Sequence, residues 1–210
     1  MTSLEALKWR YATKKFDNEK YIAEHKINIL KEAFNLTPTS YGLQPIKMLV
    51  IHNKSLQMQL QKVSYNQMQV STCSHLLVFC IEKKVNKDFI LKNFERIKEV
   101  RATPDEVLAP FREFLIDDFS KKEAEEIENW ATKQAYLALG NILTVCAYEQ
   151  IDACPMEGFE IEKYNEILQL KQQQLSSCLV LPIGYRAEDD QFADFKKVRR
   201  PLEEVVYNVN

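Results

Sequence analysis

Glycine is scarce in this 210-residue sequence, which contains only four, at Gly42, Gly140, Gly158 and Gly184. None of them completes a G-x-G-x-x-G fingerprint or a P-loop, the glycine-rich turns that bring backbone amides close to a phosphate. If the protein binds a nucleotide-like phosphate, side chains must therefore make most of the contacts.

Metal-binding and hydrolytic motifs are also missing. The three histidines, His25, His52 and His75, are too far apart in sequence for a paired metal motif, and no G-x-S-x-G nucleophile elbow occurs. The five cysteines form no C-x-x-C pair, which favours reduced packing residues. We predict no metal site and no covalent nucleophile.

Charge of one sign is not in large excess, because 28 basic residues stand against 30 acidic ones. This balance disfavours general binding to nucleic acid or to an anionic membrane. The longest apolar runs, such as "MLVI" and "LLVFC", are too short to span a bilayer, and the N-terminus lacks the apolar region of a secretory signal. We expect a cytoplasmic protein.

Hydrophobic periodicity predicts an α+β fold. Strands are predicted at 46–52, 76–82 and 176–185, and helices at 5–13, 22–34, 54–63, 87–100, 104–118 and 122–149. No repeat or Pro/Gly/Ser linker divides the chain, so residues 1–210 are predicted to form a single domain. The tail "RRPLEEVVYNVN" ends in a β-prone run without a neighbouring strand in sequence.

Two basic clusters stand at opposite ends of the sequence. The first is "WRYATKKF" at 9–16 and the second is "KKVRR" at 196–200. Arginine offers a planar fork for phosphate oxygens, and lysine a compact charge. Either both clusters bind one anion or both are solvated surface, and the charge pattern leaves these alternatives open.

Five segments, read in order, resemble the FMN-dependent nitroreductase family. They are "ALKWRYATKKF", "TPTSYGLQPIKMLVI", "SHLLVFC", "KQAYLALGNILTVCAYEQIDACPMEGF" and "LVLPIGYRAEDD" followed by "KKVRRPLEEVV". The branch that they resemble contains oxygen-insensitive NAD(P)H nitroreductases and dihydropteridine reductases. The resemblance implies a nitroreductase-like three-layer fold, with a mixed central sheet between helices.

The resemblance also implies that the two basic clusters meet at the phosphate of one FMN. Arg10, Lys197 and Arg199 would form the phosphate clamp, and Lys14 would reach the ribityl chain and the pyrimidine edge. Tyr11 and Ala12 stand where this branch usually has His-Ser, so a hydroxyl that could help to bind the phosphate is lost.

Further cofactor-binding positions follow from the same motifs. "PTSYGLQP" places Thr39, Ser40 and Gly42 beside the flavin across a dimer interface, with Gln44–Pro45 at the entry to the next strand. The pyrimidine edge would contact Asn66 and Gln69, and Gln69 stands where a lysine near flavin O2 is common. The isoalloxazine would be lined by Pro155, Met156, Glu157 and Gly158.

The acceptor pocket is the least defined part of the resemblance. Tyr41–Gly42 replaces a Thr-Asn pair of the substrate loop, so acceptor specificity does not carry over. Tyr41 and Phe114 are candidates for the cavity mouth. No dedicated catalytic side chain is expected, because the chemistry takes place at flavin N5.

The implied assembly is an obligate homodimer in which residues 201–210 extend the sheet of the partner. The implied activity is ping-pong, two-electron reduction of a nitroaromatic, quinone or related acceptor by NADH or NADPH. Two other functions stay open: a flavin-destroying or dehalogenating enzyme on the same fold, and a non-catalytic flavin-binding protein.

Overall fold

A four-stranded antiparallel sheet forms the centre of the molecule, in a computed structural model that describes residues 1–209 and leaves only Asn210 undescribed. The strand order is β1-β2-β4-β3. The strands are β1 (Ile46–Ile51), β2 (His75–Glu82), β3 (Asp152–Ala153) and β4 (Leu175–Gly184). The three strands predicted from sequence are confirmed to within one residue. Within the described chain, the parallel component of the expected mixed sheet is a single bridge between Ala12 and Ala153.

Helices surround the sheet. They are α1 (Ser3–Trp9), α2 (Glu24–Asn35), α3 (Lys54–Lys62), α4 (Gln69–Thr72), α5 (Lys87–Arg101), α6 (Asp105–Ser120), α7 (Ala124–Tyr148) and α8 (Ile161–Ile167). The helices predicted over 87–100, 104–118 and 122–149 are confirmed to within two residues at each end. Over residues 1–209, no helix combines the length and apolar character that a membrane crossing requires.

Strand β2 is buried on both faces and connects the layers. Because side chains alternate along a strand, each face meets a different set of helices. Residues of one face pack in the cluster that contains α7: Leu77, Phe79 and Ile81. Residues of the other face pack with Leu60 of α3 and Tyr164 of α8: Leu76, Val78 and Cys80. The result is the helix, sheet and helix layering expected for an α+β fold.

Helix α7 is the principal helix on one face of the sheet. Its buried face is rich in small residues, Ala131, Ala135 and Ala138, followed by Ile142. Small side chains let the helix backbone lie close to β2 and β4, where Phe79 and Leu181 fill the space between the layers. Helix α7 therefore packs directly against the sheet along this apolar face.

A buried histidine starts β2. His75 is 6% exposed, shares a hydrogen bond of 2.8 Å with the Ser74 hydroxyl through Nδ1, and stacks on His52 with ring centroids 4.6 Å apart. Burial, and then the charge of His52, lowers the pKa of His75 to about 4. The other charged groups facing it are Glu24, which raises the pKa, and Lys54 and Lys31, which lower it further.

This histidine should make stability depend on pH. In the unfolded chain His75 titrates near pH 6.5, so between that pH and about 4 the unfolded state binds a proton that the folded state rejects. The free energy of unfolding should therefore fall as pH falls through this window, by up to about 2–3 kcal/mol. Urea unfolding at pH 7.5 and pH 4.5 measures the loss.

The loss should be smaller by about that amount in His75→Gln, which has no imidazole to protonate. His25→Gln is the matched control, because His25 is exposed on α2. If wild type, His75→Gln and His25→Gln lose the same stability on acidification, His75 is not the responsible group.

Candidate functional site

Arg10 lies where α1 ends. A capping box starts the helix, with Glu5 N–H donating to Thr2 Oγ1 and Thr2 N–H donating to Glu5 Oε2. Arg10 then leaves the helix with an extended backbone, and its buried Nε has no hydrogen-bond partner among the described residues. Burial, and then the charge of Arg199, lowers the pKa of Arg10. The guanidinium is thus held near another cation, and no carboxylate of residues 1–209 forms an ion pair with it.

The second basic cluster meets the first at this point. The Lys197 ammonium donates to the backbone carbonyls of Lys8, at 2.9 Å, and Arg10. Burial, and then the charges of Arg10, Arg199 and Arg186, lowers the pKa of Lys197. Segments almost 190 residues apart in sequence therefore form one cationic group, a suitable environment for an anion.

Arg186 also belongs to this cationic group, and its guanidinium forms an ion pair with a carboxylate, that of Asp152. Asp152 accepts from Arg186 Nε at 2.9 Å and from its backbone N–H at 2.8 Å. The guanidinium carbon lies over the ring of Trp9 and over the ring of Tyr11, 4.6 Å from each centroid. Sequence reasoning did not select Arg186 or Asp152, although "GYRAEDD" was one of the segments that carried the resemblance.

The loop after Arg10 is held by contacts on the side that faces away from the cationic group. The Tyr11 hydroxyl donates to Asp190 Oδ2 at 2.8 Å, so this hydroxyl points to a buried carboxylate and not into the cationic group. Ala12 forms its bridge with Ala153 of β3. The Lys14 ammonium lies 3.6 Å from the Sγ atom of Cys154, the residue that follows Ala153.

A chain of side-chain amides borders Lys14 and Cys154. Gln69 is buried at the start of α4 and donates to Gln67 Oε1 at 3.0 Å, and Gln67 Nε2 donates to the Gly158 carbonyl at 2.8 Å. A Cβ added to Gly158 would lie 3.2 Å from Gln67 Nε2, so a side chain there would crowd this contact. Asn66 precedes the chain on an exposed loop, in a left-handed conformation with φ of 55°.

The segment Pro155–Gly158 is anchored on several sides. Met156 exchanges backbone hydrogen bonds of 2.8 and 3.1 Å with Val180 of β4. The Tyr136 hydroxyl of α7 donates to Glu157 Oε1 at 2.6 Å, and this bond raises the pKa of Tyr136 to about 12. Backbone, carboxylate and carbonyl contacts thus hold three consecutive residues.

The loop Thr39–Gly42 is attached to a different part of α7. Ser40 N–H donates to Gln134 Oε1 at 2.8 Å, and Thr39 Oγ1 accepts from Gln44 N–H at 3.0 Å. Tyr41 and Gly42 both have positive φ, 58° and 67°. This conformation is strained for a tyrosine, which is consistent with a functional constraint on its position.

Tyr41 belongs to an aromatic cluster. Its ring stacks on Trp130 at 6.5 Å and meets Phe111 edge-on at 6.2 Å. Phe111 in turn stacks on Phe114 at 6.3 Å, so the two predicted acceptor residues, Tyr41 and Phe114, are connected through a ring that sequence reasoning missed. Phe111 and Phe114 are both exposed on α6.

The predicted site residues therefore lie in two groups. The first group joins both basic clusters to the segments that were predicted to line a flavin: Arg10, Tyr11, Ala12, Lys14, Asn66, Gln69, Pro155, Met156, Glu157, Gly158, Lys197 and Arg199. The second group contains Thr39, Ser40, Tyr41, Gly42 and Phe114. Within residues 1–209, no side-chain hydrogen bond or ring contact connects the groups directly. No cluster of three metal-ligating side chains occurs among the described residues either.

Comparisons with known proteins agree with this architecture. A sequence model described as "Nitroreductase family" matches residues 7–185. A Staphylococcus haemolyticus protein named "Putative NAD(P)H nitroreductase SH0546" is 32% identical, with 98% of this chain and 96% of the relative covered. The Bacillus subtilis relative "Putative NAD(P)H nitroreductase YfkO" is 31% identical, with 97% and 95% covered.

Solved structures show the same fold. An Exiguobacterium sibiricum crystal structure, described as a "putative nitroreductase in complex with FMN", has a TM-score of 0.85 at 20% identity, with 100% of this chain and 98% of that chain covered. A Bacillus subtilis crystal structure, described as "putative nitroreductase ydfN", has a TM-score of 0.87 at 18% identity, with 98% of each chain covered. The family match over most of the chain, together with relatives above 30% identity, shows that this protein belongs to the nitroreductase family.

Proposed function

We propose that this protein is an FMN-dependent NAD(P)H oxidoreductase that reduces nitroaromatics, quinones or related acceptors by two electrons. The observation that carries the proposal is the meeting of Arg10, Lys197 and Arg199, with a buried Arg10 Nε left without a partner. A terminal monophosphate fits such a group, because its oxygens accept several charge-assisted hydrogen bonds. The absence of a glycine-rich pyrophosphate loop favours FMN over FAD.

Most residues of the first group have a direct role in this proposal. Arg10 and Arg199 bind the phosphate directly, and Lys197 adds charge while holding the end of α1. Lys14 reaches the ribityl chain and the pyrimidine edge. Asn66 and Gln69 border the same edge, and the anchored segment Pro155–Gly158 lies along the isoalloxazine with its backbone amides near N5.

When bound, FMN supplies hydride acceptance from NADH or NADPH and two-electron delivery to the acceptor. The chain contributes position and electrostatics. Gln69 and Gln67 present neutral amides to the pyrimidine edge, where a cation would stabilise extra negative charge more strongly. Several anchors keep Glu157 and Gly158 in place, so little reorganisation is needed when substrates exchange.

The two groups of site residues favour a homodimer. We propose that the Thr39–Gly42 loop and the aromatic cluster of one copy cover the flavin held by Arg10 of the other copy. Tyr41 and Phe114 then line the mouth of a cavity that both NAD(P)H and the acceptor must use. Each copy is proposed to be a single FMN-binding domain. Its five unpaired cysteines favour the cytoplasm, where thiols stay reduced.

The proposed function predicts two separable half-reactions. Anaerobic addition of NADH or NADPH to the purified yellow protein should bleach its visible absorbance, and later addition of a nitroaromatic or quinone should restore it. Because one cavity serves both substrates, double-reciprocal plots should be parallel, and each substrate should inhibit at high concentration. Anaerobic titration and steady-state kinetics measure these results.

Each contrary outcome removes a defined part of the proposal. A bound flavin that NAD(P)H does not bleach would indicate a non-catalytic flavin-binding protein. Intersecting lines without mutual competition would indicate two separate pockets. Consumption of the flavin, or release of halide from a halogenated phenol, would favour the alternative enzymes on this fold.

A further inference from the structure

Asp190 is a buried carboxylate at the end of the segment "LVLPIGYRAEDD", and the family resemblance assigned it no role. It is 4% exposed and lies in the turn that follows β4. Its Oδ2 accepts from the Tyr11 hydroxyl at 2.8 Å and from the backbone N–H groups of Lys14, at 3.1 Å, and Lys15, at 3.4 Å. Three donors from the first basic cluster therefore converge on one oxygen.

The other carboxylate oxygen of Asp190 binds the segment that leads into the second basic cluster. Oδ1 accepts from the backbone N–H of Phe192 at 3.2 Å and caps the 3₁₀ turn Gln191–Asp194. That turn leads directly into "KKVRR" at 196–200. One carboxylate thus fixes both the loop that carries Arg10 and Lys14 and the start of the segment that carries Lys197 and Arg199.

Neighbouring contacts strengthen this connection. Asp17 N–H donates to the Tyr185 carbonyl at 2.8 Å, and Ala187 N–H donates to the Lys15 carbonyl at 3.0 Å. The Tyr11 ring also packs on the Arg186 guanidinium. Burial and the bond to Asp190 raise the pKa of Tyr11, so its hydroxyl stays a donor throughout the physiological range.

We infer that Asp190 is a positioning residue of the cofactor site, which acts through Tyr11 and the Lys14 amide to hold the two basic clusters in register around one phosphate. The inference rests on the proposed FMN site. It also explains the Tyr-Ala pair at 11–12: the Tyr11 hydroxyl anchors the loop from behind in place of contacting the phosphate.

The direction in which one substitution changes FMN affinity separates a positioning role from a simple charge effect. Asp190→Asn removes a negative charge close to the cationic group, and on charge alone it should leave phosphate binding unchanged or tighten it. If Asp190 acts by geometry, the loss of charge-assisted hydrogen bonds should instead weaken FMN by about tenfold or more. Riboflavin, which lacks the phosphate, should weaken much less.

Asp189→Asn is the matched control. Asp189 is adjacent and carries the same charge, but it is exposed, and within residues 1–209 its one ion pair is with Lys15. It should leave FMN affinity within about twofold. Tyr11→Phe removes one donor to Asp190 without changing charge and keeps the ring on Arg186, so FMN should bind about three- to tenfold more weakly.

Fluorescence titrations measure the FMN and riboflavin affinities of the wild type and the three variants. Thermal unfolding midpoints of the same proteins check that each variant folds. Tyr11→Phe decides the question if Asp190→Asn does not fold. Unchanged FMN affinity in Tyr11→Phe, or tighter FMN binding by a folded Asp190→Asn, overturns the inference. If the wild-type protein binds no FMN, the proposed function itself has failed, and this outcome is distinct.

Discussion

An Arg10→Met variant should bind FMN about 10- to 150-fold more weakly than the wild-type protein while its riboflavin affinity stays nearly the same. The range corresponds to about 1.5–3 kcal/mol, the usual worth of a hydrogen bond to a charged group. Methionine keeps the apolar stem of the side chain, so packing at the end of α1 is largely retained. Arg199→Ala should act in the same direction, since it removes a second phosphate ligand.

Arg200→Met is the matched control for Arg10→Met. Arg200 belongs to the second basic cluster and is exposed, and the substitution removes the same charge. If the phosphate is held by directed contacts from Arg10, Arg200→Met should change FMN affinity by no more than about twofold. Equal weakening by both variants would point to a diffuse charge effect, and equal weakening of FMN and riboflavin would remove the clamp assignment.

The elements that could be predicted from sequence are those with a long apolar pattern. Strand β2 contains a continuous apolar run over residues 76–81, and helix α7 carries apolar residues at helical spacing over several turns, so their observed ends lie within two residues of the predicted ones. Strand β3 has two residues and α4 has four, too short for any pattern to appear. Their positions depend on pairing with β4 and on the amide chain around Gln69.

Helix α1 shows how a tertiary contact overrides a local pattern. The sequence predicts a helix over 5–13, but the helix ends at Trp9. The chain must become extended at Arg10 so that Ala12 can pair with Ala153, which is about 140 residues away in sequence. Because the helix ends early, Arg10 lies next to Lys197. The helix end that the sequence predicted wrongly is therefore part of the candidate binding site.

The residues of the candidate site likewise include some that could be recognised in sequence and some that could not. Basic clusters and a family motif can be recognised in sequence, and the structure places Arg10, Lys197 and Arg199 close together. Asp152 begins the two-residue strand β3, and Asp190 is the last of three acidic residues after β4. Both lie in segments that resemble the family, but their local sequence does not distinguish them from exposed acidic residues such as Asp189. Only burial and converging donors mark them, and these depend on the folded chain.

The C-terminal tail raises a separate question about assembly. Residues 201–209 contain one 3₁₀ turn, Leu202–Glu204, and form no strand within the single chain. Leu202, Val206 and Tyr207 are exposed, and Tyr207 is 77% exposed. In the described sheet β1 pairs only with β2, which leaves one edge of β1 open. An exposed apolar tail and an open strand edge are complementary features between two copies of the chain.

Removing the apolar side chains of this tail should therefore separate the dimer and release the flavin. Each large apolar side chain buried at an interface contributes about 1.5–3 kcal/mol, so the triple substitution Leu202→Ser, Val206→Ser and Tyr207→Ser should weaken dimerisation by at least about a thousandfold. Deletion of residues 201–210 should have at least the same effect. Sedimentation with detection at a flavin wavelength measures mass and cofactor together.

A second triple variant provides the control for this last prediction. Leu36, Met58 and Val100 are also exposed apolar residues, but they belong to the end of α2, to α3 and to α5 and not to the tail, and their replacement by serine should leave the dimer intact. The wild type and this control should sediment at twice the 24.6 kDa chain mass with flavin bound. The tail variant should sediment as a colourless monomer if each cofactor site draws residues from both copies, as we propose. A flavin-loaded monomer would instead mean that one chain completes the site alone, and the shared-site dimer would have to be abandoned.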